Sequence, residues 1–333
     1  MARENSISLR GLLEGRPKIT TNQNGKYALV TVKVVRPDRP VGDGISYVAS
    51  THVRIMTQDS DIIDEMNTWE KWDIVEIKGV LSSKKISKVS YCPHCKKENH
   101  AYGSLVYVVP TFAEKVTSMV NDQEGLQYLI KKREVSNIAK MFGTLWSSPK
   151  MLSTFSGIVF TQFQLAVNRK LRIKEDDPFV KTDFPWVKTY GDVARVARNR
   201  LIRGSEVYID GCLQSRDIPR TSWCGQARDA NGDYMRYQNG NPVIEKDADG
   251  NDVGCGQEYI WNDRTLEIVP FSIEMVSNFL SEEEALHRAE MRRADSARSK
   301  SKSPLFATDV FDQLTKEDYE NGIDDADDDY RPE

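Results

Sequence analysis

The sequence predicts a mainly β protein with two successive five-stranded barrels, short helices and a disordered acidic C-terminal tail. Two observations carry this prediction. Short β-branched segments recur in the same order in two parts of the chain, and glycines and prolines punctuate both parts in register. The 333 residues leave room for about two domains and a tail. The apolar share of 39% is enough to build cores, so a wholly disordered chain is excluded.

A weak internal repeat defines the two barrels. Residues 5–18 align without a gap on residues 137–150 at an offset of 132, and Gly79 aligns with Gly211 at the same offset. Between these segments, the second strands align at an offset of 136 and the third strands at an offset of 134. Chance similarity between β-rich segments is the alternative interpretation. The aligned pairs are Tyr27 with Phe163, His52 with Trp186, and Met56 with Tyr190.

Each repeat predicts three strands, a short helix and two further strands. Gly79 and Gly211 lie inside the fourth strand of their repeats, where a barrel strand bends sharply. This order of elements is typical of the five-stranded, partly open Greek-key barrel called the OB-fold. We expect one barrel in residues 1–115 and one in residues 136–275, joined by a partly helical linker over residues 116–135.

The C-terminal segments are predicted to be a helix over residues 276–293, then a disordered linker and tail over residues 294–333. Residues 303–333 carry eleven acidic and two basic residues, a net charge of -9. The whole chain has a net charge of -4, so residues 1–302 carry +5. A mildly basic body with an acidic tail is frequent among nucleic-acid binders.

Several function classes are excluded or disfavoured. No apolar run approaches the ~18 residues of a membrane span, and the N-terminal residues lack the apolar stretch of a signal peptide. No phosphate-binding lysine loop, nucleophile elbow or His/Asp/Ser set is present, and the chain has only four histidines. We therefore expect a cytoplasmic protein that is not an enzyme and has no membrane partner.

Three segments of the second repeat carry a resemblance to a known family: Phe163-Gln-Leu-Ala-Val-Asn-Arg, Asp183-Phe-Pro-Trp-Val-Lys-Thr-Tyr-Gly-Asp-Val-Ala-Arg-Val-Ala, and Leu201-Ile-Arg-Gly-Ser-Glu-Val-Tyr-Ile-Asp-Gly-Cys-Leu-Gln-Ser-Arg. Through these segments, residues 137–275 resemble the bacterial single-stranded DNA-binding protein (SSB) family. The resemblance implies OB barrels that stack unpaired bases on aromatic rings and hold phosphates with basic side chains. The divergence from cellular members suggests a phage or mobile-element origin.

The resemblance implies stacking roles for Trp186 and Tyr190, and loosely for Trp223. Lys188 has the same strand parity as the first two and should share their face. The alternatives are that these rings belong to the barrel core and that the basic side chains form an ordinary solvated face. The predicted DNA-binding set is Trp186, Tyr190, Lys188, Trp223, Arg169, Lys170 and Arg172.

Four of the five cysteines are candidate ligands of one structural zinc. Cys92-Pro-His-Cys95 has zinc-knuckle spacing, and Cys224 and Cys255 are its complement, with His94 or His100 as substitutes. Free thiols on an exposed loop are the alternative. A nucleoside deaminase would need Pro before the first cysteine and an upstream His-x-Glu, both of which are missing. Cys212 is expected to be a buried, inert thiol.

The predicted function is binding and protection of single-stranded DNA, without sequence specificity, during replication, recombination or repair. The family resemblance implies that the acidic tail recruits replication or recombination proteins. It also implies four barrels per assembly, so a two-barrel chain could act as a homo-oligomer or as a monomer. Two alternatives stay open: an OB-fold scaffold protein with little DNA binding of its own, and an RNA-binding protein.

Overall fold

The computed structural model shows a mainly β chain with two five-stranded barrels, as predicted. Strand pairs close both barrels, which the sequence predicted to be partly open. Of the predicted disordered segment, residues 294–300 instead belong to the last helix, and residues 301–333 lie outside the residues that the structure describes. The described residues are 4–22, 25–36, 50–153, 159–170, 182–229 and 235–300.

The first barrel is closed by strand pairs on both sides of its first strand. This strand pairs with the third and fifth strands, and the fourth strand runs parallel to the sixth at Ile55 and Val108. Inward side chains alternate along the strands, as at Val30 and Val32, and fill the core. The elements are β1 (Glu4–Leu13), β2 (Lys18–Asn22), β3 (Gly25–Val35), β4 (Ser50–Thr57), α1 (Ser60–Met66), β5 (Asp73–Tyr91) and β6 (Glu98–Ser118).

The second barrel repeats this pattern. The parallel pair recurs at Val187 and Ile268, and Phe163, Leu165 and Val167 alternate into the core. The elements are β7 (Asn137–Leu145), β8 (Lys150–Ser153), β9 (Val159–Asn168), β10 (Thr182–Asp183), β11 (Trp186–Thr189), α4 (Gly191–Arg200), β12 (Glu206–Trp223) and β13 (Glu258–Ser277). Between the barrels lie α2 (Asp122–Lys131) and α3 (Arg133–Ser136).

The last helix begins later than the sequence predicted. Strand β13 continues to Ser277, and α5 spans Glu282–Lys300. Its start is fixed by a capping box: the Glu284 N–H donates to the Ser281 hydroxyl at 3.2 Å, and the Ser281 N–H donates to the Glu284 carboxylate at 2.8 Å. The prediction extended the helical pattern into residues whose apolar side chains alternate as in a strand.

Gly79 and Gly211 occupy the same position in the two barrels. A Cβ on Gly79 would lie 2.2 Å from the Val109 carbonyl oxygen, and one on Gly211 would lie 2.4 Å from the Val269 carbonyl oxygen. Any side chain would therefore push apart the last two strands of either barrel. The glycines allow this close approach of neighbouring strands.

The barrels are joined by antiparallel pairing of β1 with β7. Ile7 faces Ala139, which is its own equivalent at the offset of 132, so the pairing has local two-fold symmetry. Asn5 exchanges two hydrogen bonds of 2.8 Å with the Leu81 backbone. Asn137 does the same with Leu213, at 2.8 and 2.9 Å. These repeated hydrogen bonds confirm the predicted offset of 132 between β1 and β7 and between β5 and β12.

The alignment predicted for the middle strands was wrong. Leu12 pairs with Lys33 in the first barrel and Thr144 with Ala166 in the second, so β3 and β9 correspond at an offset of 133. Ile55 on β4 corresponds to Val187 on β11, because each pairs in parallel with the last strand of its barrel, at Val108 and Ile268. The equivalents are therefore Arg54 for Trp186 and Met56 for Lys188, and His52 stands opposite Phe184.

The chain divides into two compact units. We call the first, which contains both barrels, the barrel unit: Met1–Ser82, Tyr107–Gln214 and Glu267–Glu333. The second, which we call the cysteine unit, is Ser83–Val106 and Ser215–Leu266, the distal parts of the β5–β6 and β12–β13 ribbons. The predicted domain boundaries stay a prediction. Among the described residues, no helix has the length and apolar character needed to cross a bilayer.

Candidate nucleic-acid face and four-cysteine site

Alternation along β11 creates the candidate face on the second barrel. Val187 is fully buried in the barrel core, whereas Trp186 on the opposite side is 40% exposed. Trp186 pairs with Gln164 on β9, and Lys188 pairs with Gln162, so an aromatic, a cation and two amides share one outer surface. Trp186 is therefore placed to meet a ligand in solution.

The Lys188 side chain is buried against two aromatic rings. Its Nζ lies 4.1 Å from the centre of the Phe160 ring and 5.1 Å from the centre of the Tyr190 ring. The two rings are 6.2 Å apart and tilted by 48°. Phe160 is 7% exposed and Lys188 is 5% exposed, so this cation is buried against the rings, and its role as a DNA contact stays a prediction. Tyr190 is half-buried just before α4.

Two further aromatics, missed in the sequence analysis, complete the face. The rings of Trp146 and Phe184 pack edge-to-face with centroids 5.3 Å apart, and they are 53% and 36% exposed. The Arg203 guanidinium lies 5.5 Å from the Trp146 ring centre. Trp146 directly follows β7, and Phe184 lies two residues before Trp186. The segment Phe184-Pro-Trp186, with its two aromatics of equal parity, was an available signal.

The predicted basic residues fall in different environments. Lys170 is exposed and pairs with Glu4 at 3.0 Å. Arg169 is only 2% exposed and forms an ion pair of 2.6 Å with the equally buried Asp183, so we leave it out of the proposed contact set. Arg172 lies outside the described residues. Trp223 ends β12 in the cysteine unit, beside Cys224.

The four predicted cysteines meet within the cysteine unit. The Sγ atoms of Cys92 and Cys255 are 3.6 Å apart, those of Cys95 and Cys224 are 3.4 Å apart, and all four lie within 4.8 Å of one another. A tetrahedral zinc with Zn–S bonds of ~2.3 Å places its sulfurs about 3.8 Å apart. The four thiols therefore fit one zinc ion without a histidine ligand.

Two tight turns present these thiols. In the first, the Lys96 N–H donates to the Cys92 carbonyl at 2.9 Å, and Lys96 adopts a φ of 61°. In the second, the Gly225 N–H donates to the Asn99 side-chain oxygen at 2.8 Å, and the Asn99 amide donates to Cys224 Sγ at 3.7 Å. Such an outer hydrogen bond orients a thiolate ligand.

The thiols differ in acidity. A hydrogen bond from the Lys97 backbone N–H lowers the pKa of Cys95 to about 6. Burial raises the pKa of Cys224 to about 12, which a bound metal would counteract because coordination favours the thiolate. Cys212 is fully buried in the barrel unit, apart from this cluster.

The second barrel is similar in sequence to known proteins. A family model described as the single-strand binding protein family matches residues 136–230. The single-stranded DNA-binding protein of Thermotoga maritima is 34% identical over 76 residues, which are 23% of this chain and 54% of that protein. The second barrel is therefore similar to the single-strand binding protein family. The chain spans about half the length of this curated relative.

Two solved structures of Thermus aquaticus single-stranded DNA binding protein are also similar to this chain. The wild-type protein has a TM-score of 0.49 and 15% identity, covering 84% of this chain and 97% of that chain. A deletion mutant has a TM-score of 0.48 and 16% identity, covering 85% and 100%.

Arg169 is expected to stabilise the fold of the second barrel. Arg169→Ala should lower the free energy of unfolding by about 3–5 kcal/mol, because the Asp183 carboxylate would stay buried without its cation. Urea unfolding measures this change. Lys170→Ala removes an exposed cation and is the matched control, with an expected loss under about 1 kcal/mol. Equal losses in the two variants would contradict the structural role of Arg169.

Proposed function

We propose that this protein binds single-stranded DNA without sequence specificity, through the outer face of its second barrel. The observation that carries the proposal is the clustering of Trp146, Phe184 and Trp186 on one exposed surface beside Arg203. Every base has a π-face, so exposed rings bind unpaired bases of any sequence, at about 1–3 kcal/mol per stacked base. The arrangement supports binding and not catalysis.

We expect three basic side chains of the second barrel to hold the phosphates. Arg203 lies over Trp146, and Lys150 on β8 pairs across to Gln162 of β9. Lys170 follows β9 and is exposed, and its ion pair with Glu4 is a surface pair of little strength. Three such contacts predict that the logarithm of the affinity falls with the logarithm of the salt concentration at a slope of about −2.

Titration of tryptophan fluorescence with oligo-dT at several salt concentrations tests this function. We expect quenching, because bases stacked on Trp146 and Trp186 quench indole emission, and a slope near the value given above. An oligo-rU arm compares RNA with DNA, since stacking does not distinguish the sugars. The absence of both quenching and a gel shift at low salt would reject the proposal.

We propose further that the four-cysteine cluster holds one structural zinc. The support is geometric: four sulfurs at tetrahedral spacing, two of them buried, on two turns with an outer hydrogen bond from Asn99. When bound, the metal would cross-link the β5–β6 and β12–β13 ribbons inside the cysteine unit. Closed four-thiolate sites of this kind are structural because no ligand position stays open for a substrate.

The acidic tail is proposed to recruit partner proteins of replication or recombination. Its support is composition, the net charge of -9 over residues 303–333. Tyr330 follows three consecutive aspartates, so its ring is an apolar contact point within an acidic recognition segment. Affinity capture with the full chain and with a chain ending at residue 302, both nuclease-treated, compares the partners retained.

A further inference from the structure

The four thiols of the cysteine unit form two close pairs, and each pair joins one ribbon to the other. Cys92 Sγ lies 3.6 Å from Cys255 Sγ, and Cys95 Sγ lies 3.4 Å from Cys224 Sγ. Cys92 and Cys95 lie in the turn between β5 and β6, whereas Cys224 and Cys255 lie between β12 and β13. Both contacts therefore run between the two ribbons, and neither runs within one turn.

Each pair combines one exposed thiol with one buried thiol. Cys255 and Cys95 are exposed, whereas their neighbours Cys92 and Cys224 are fully buried. An exposed thiol can react with a small oxidant from solution, and a thiol beside it can then resolve the product. This division between an accessible and a resolving cysteine is typical of redox-reactive protein thiols. A structural zinc needs the spacing of the four sulfurs but does not need this division.

Hydrogen bonds outside the cluster hold the two ribbons against each other. The Gly225 N–H donates to the Asn99 side-chain oxygen at 2.8 Å, and the Ser90 and Tyr259 hydroxyl oxygens are 2.8 Å apart. The S–S bond of a disulfide is ~2.05 Å long, so each sulfur pair has to approach by about 1.5 Å. Rotation of the cysteine side chains supplies a movement of this size while the ribbons keep their places.

We propose that hydrogen peroxide converts this cluster into two disulfides between the ribbons, Cys92–Cys255 and Cys95–Cys224. The exposed thiolate of each pair attacks the peroxide, whose O–O bond breaks, so that the sulfur is oxidised to a sulfenic acid and one water leaves. The buried thiol then attacks the sulfenic sulfur, the S–O bond breaks, and the disulfide forms with loss of a second water. The reaction does not depend on DNA binding.

The complete reaction consumes two peroxides per chain and yields two disulfides and four waters. In the metal-free protein the four thiol protons end in these waters. With zinc bound, four protons from the solvent take their place. The disulfide sulfurs have lost the thiolate charge that holds the metal, so zinc is released as Zn²⁺. The proposal thus adds a reaction to the proposed zinc site, but the thiols can undergo it with or without the metal.

The oxidised cysteine unit keeps its cross-links without a metal. The two disulfides would connect residues that are 163 and 129 positions apart in the chain. Disulfides that close long loops remove much conformational freedom from the unfolded chain and therefore stabilise the folded one. We expect order in this unit to depend on zinc when the thiols are reduced, and to be independent of zinc once they are oxidised.

Disulfide mapping in the reduced full-length protein, supplied with zinc, tests the proposal. Hydrogen peroxide is added in steps, the remaining thiols are alkylated, and the peptides are identified by mass spectrometry. We expect the five free thiols to fall to one, Cys212, at about two peroxides per chain. A chromogenic chelator should report zinc release in step with the disulfides. Since the thiol count and the map need neither zinc nor DNA, failure of either proposed binding function leaves this result interpretable.

Limited proteolysis measures the consequence of the two disulfides. After chelation, cleavage within residues 215–266 should be at least about 30-fold slower in the oxidised chain than in the reduced chain, which is the effect of one disulfide of ordinary strength. Addition of a thiol reductant together with the chelator should restore fast cleavage. Equal cleavage of the oxidised and reduced chains would contradict the proposed cross-links.

Two controls show whether the fold selects the pairs. Cys212→Ala removes the buried thiol of the barrel unit and should give the same two disulfides with no free thiol left. Oxidation of the unmodified chain in urea should give a mixture of pairings, because the ribbons no longer hold the thiols together. Disulfides within the turns, Cys92–Cys95 and Cys224–Cys255, would overturn the proposal. Oxidation to sulfinic acids without disulfides, or thiols that peroxide leaves unchanged, would overturn it equally.

Discussion

Replacing both Trp146 and Trp186 with alanine is expected to weaken binding to oligo-dT by about 30-fold to 10⁴-fold. Each base stacked on an aromatic ring contributes about 1–3 kcal/mol, and 1.4 kcal/mol corresponds to a factor of ten in affinity. The two indoles are 53% and 40% exposed, so their removal should leave the barrel core intact. The loss of affinity should therefore occur without loss of the fold.

Anisotropy of a labelled oligo-dT measures this loss without relying on the removed tryptophans. Phe112→Ala is the matched control, because Phe112 is 41% exposed but lies on β6 of the first barrel, outside the proposed face. We expect its affinity to change less than about twofold, and thermal unfolding should verify that both variants are folded. Equal affinity of the double variant and the control would exclude the aromatic face as the site of base stacking.

Replacing Cys92 and Cys224 with serine is expected to abolish zinc binding and to unfold the cysteine unit. A buried cluster of this unit consists of the two thiols and Tyr259, with Trp261 packed against it. Such a small core cannot supply much stability, whereas binding of a structural zinc contributes about 10–16 kcal/mol in small zinc domains. Order in this unit should therefore depend on the metal.

Metal analysis and limited proteolysis check this expectation. We expect about one zinc per unmodified chain, none in the serine variant, and new cleavage sites within residues 215–266 in the variant and after chelation. Cys212→Ala is the matched control: this thiol is buried but lies in the barrel unit, so one zinc should be retained. Retention of zinc in the serine variant, or proteolysis that chelation does not alter, would contradict the structural role of the metal.

Sequence reasoning predicted the barrels correctly and the strand register only in part. Gly79 and Gly211 marked equivalent positions because close strand approach demands glycine at both. Strands β3 and β9 carry no such marker. The offset of 136 predicted between them differs by three residues from the observed offset of 133. An error of an odd number of residues in the register exchanges the inward and outward faces of a strand. The hydrogen-bond partners between strands decide the register.

The candidate site shows the same limit. Trp186 could be singled out from its segment, but its neighbour Trp146 is 40 residues earlier, and only strand pairing brings the two to one face. Arg169 and Lys170 are adjacent and equally basic in sequence. One is buried against Asp183 and the other is exposed, a difference that composition cannot express.

The sequence by itself determined that this protein has two barrels of one kind, four thiols suited to one metal, and aromatic and basic residues suited to nucleic acid. Residue type and local periodicity are enough for these conclusions. Only the tertiary structure decided which rings share a surface, and that Glu14 and His52 form a hydrogen bond in the first barrel at the place where Trp146 packs on Phe184 in the second. Both depend on register between strands far apart in the chain, and that register is set by the packing of the whole barrel.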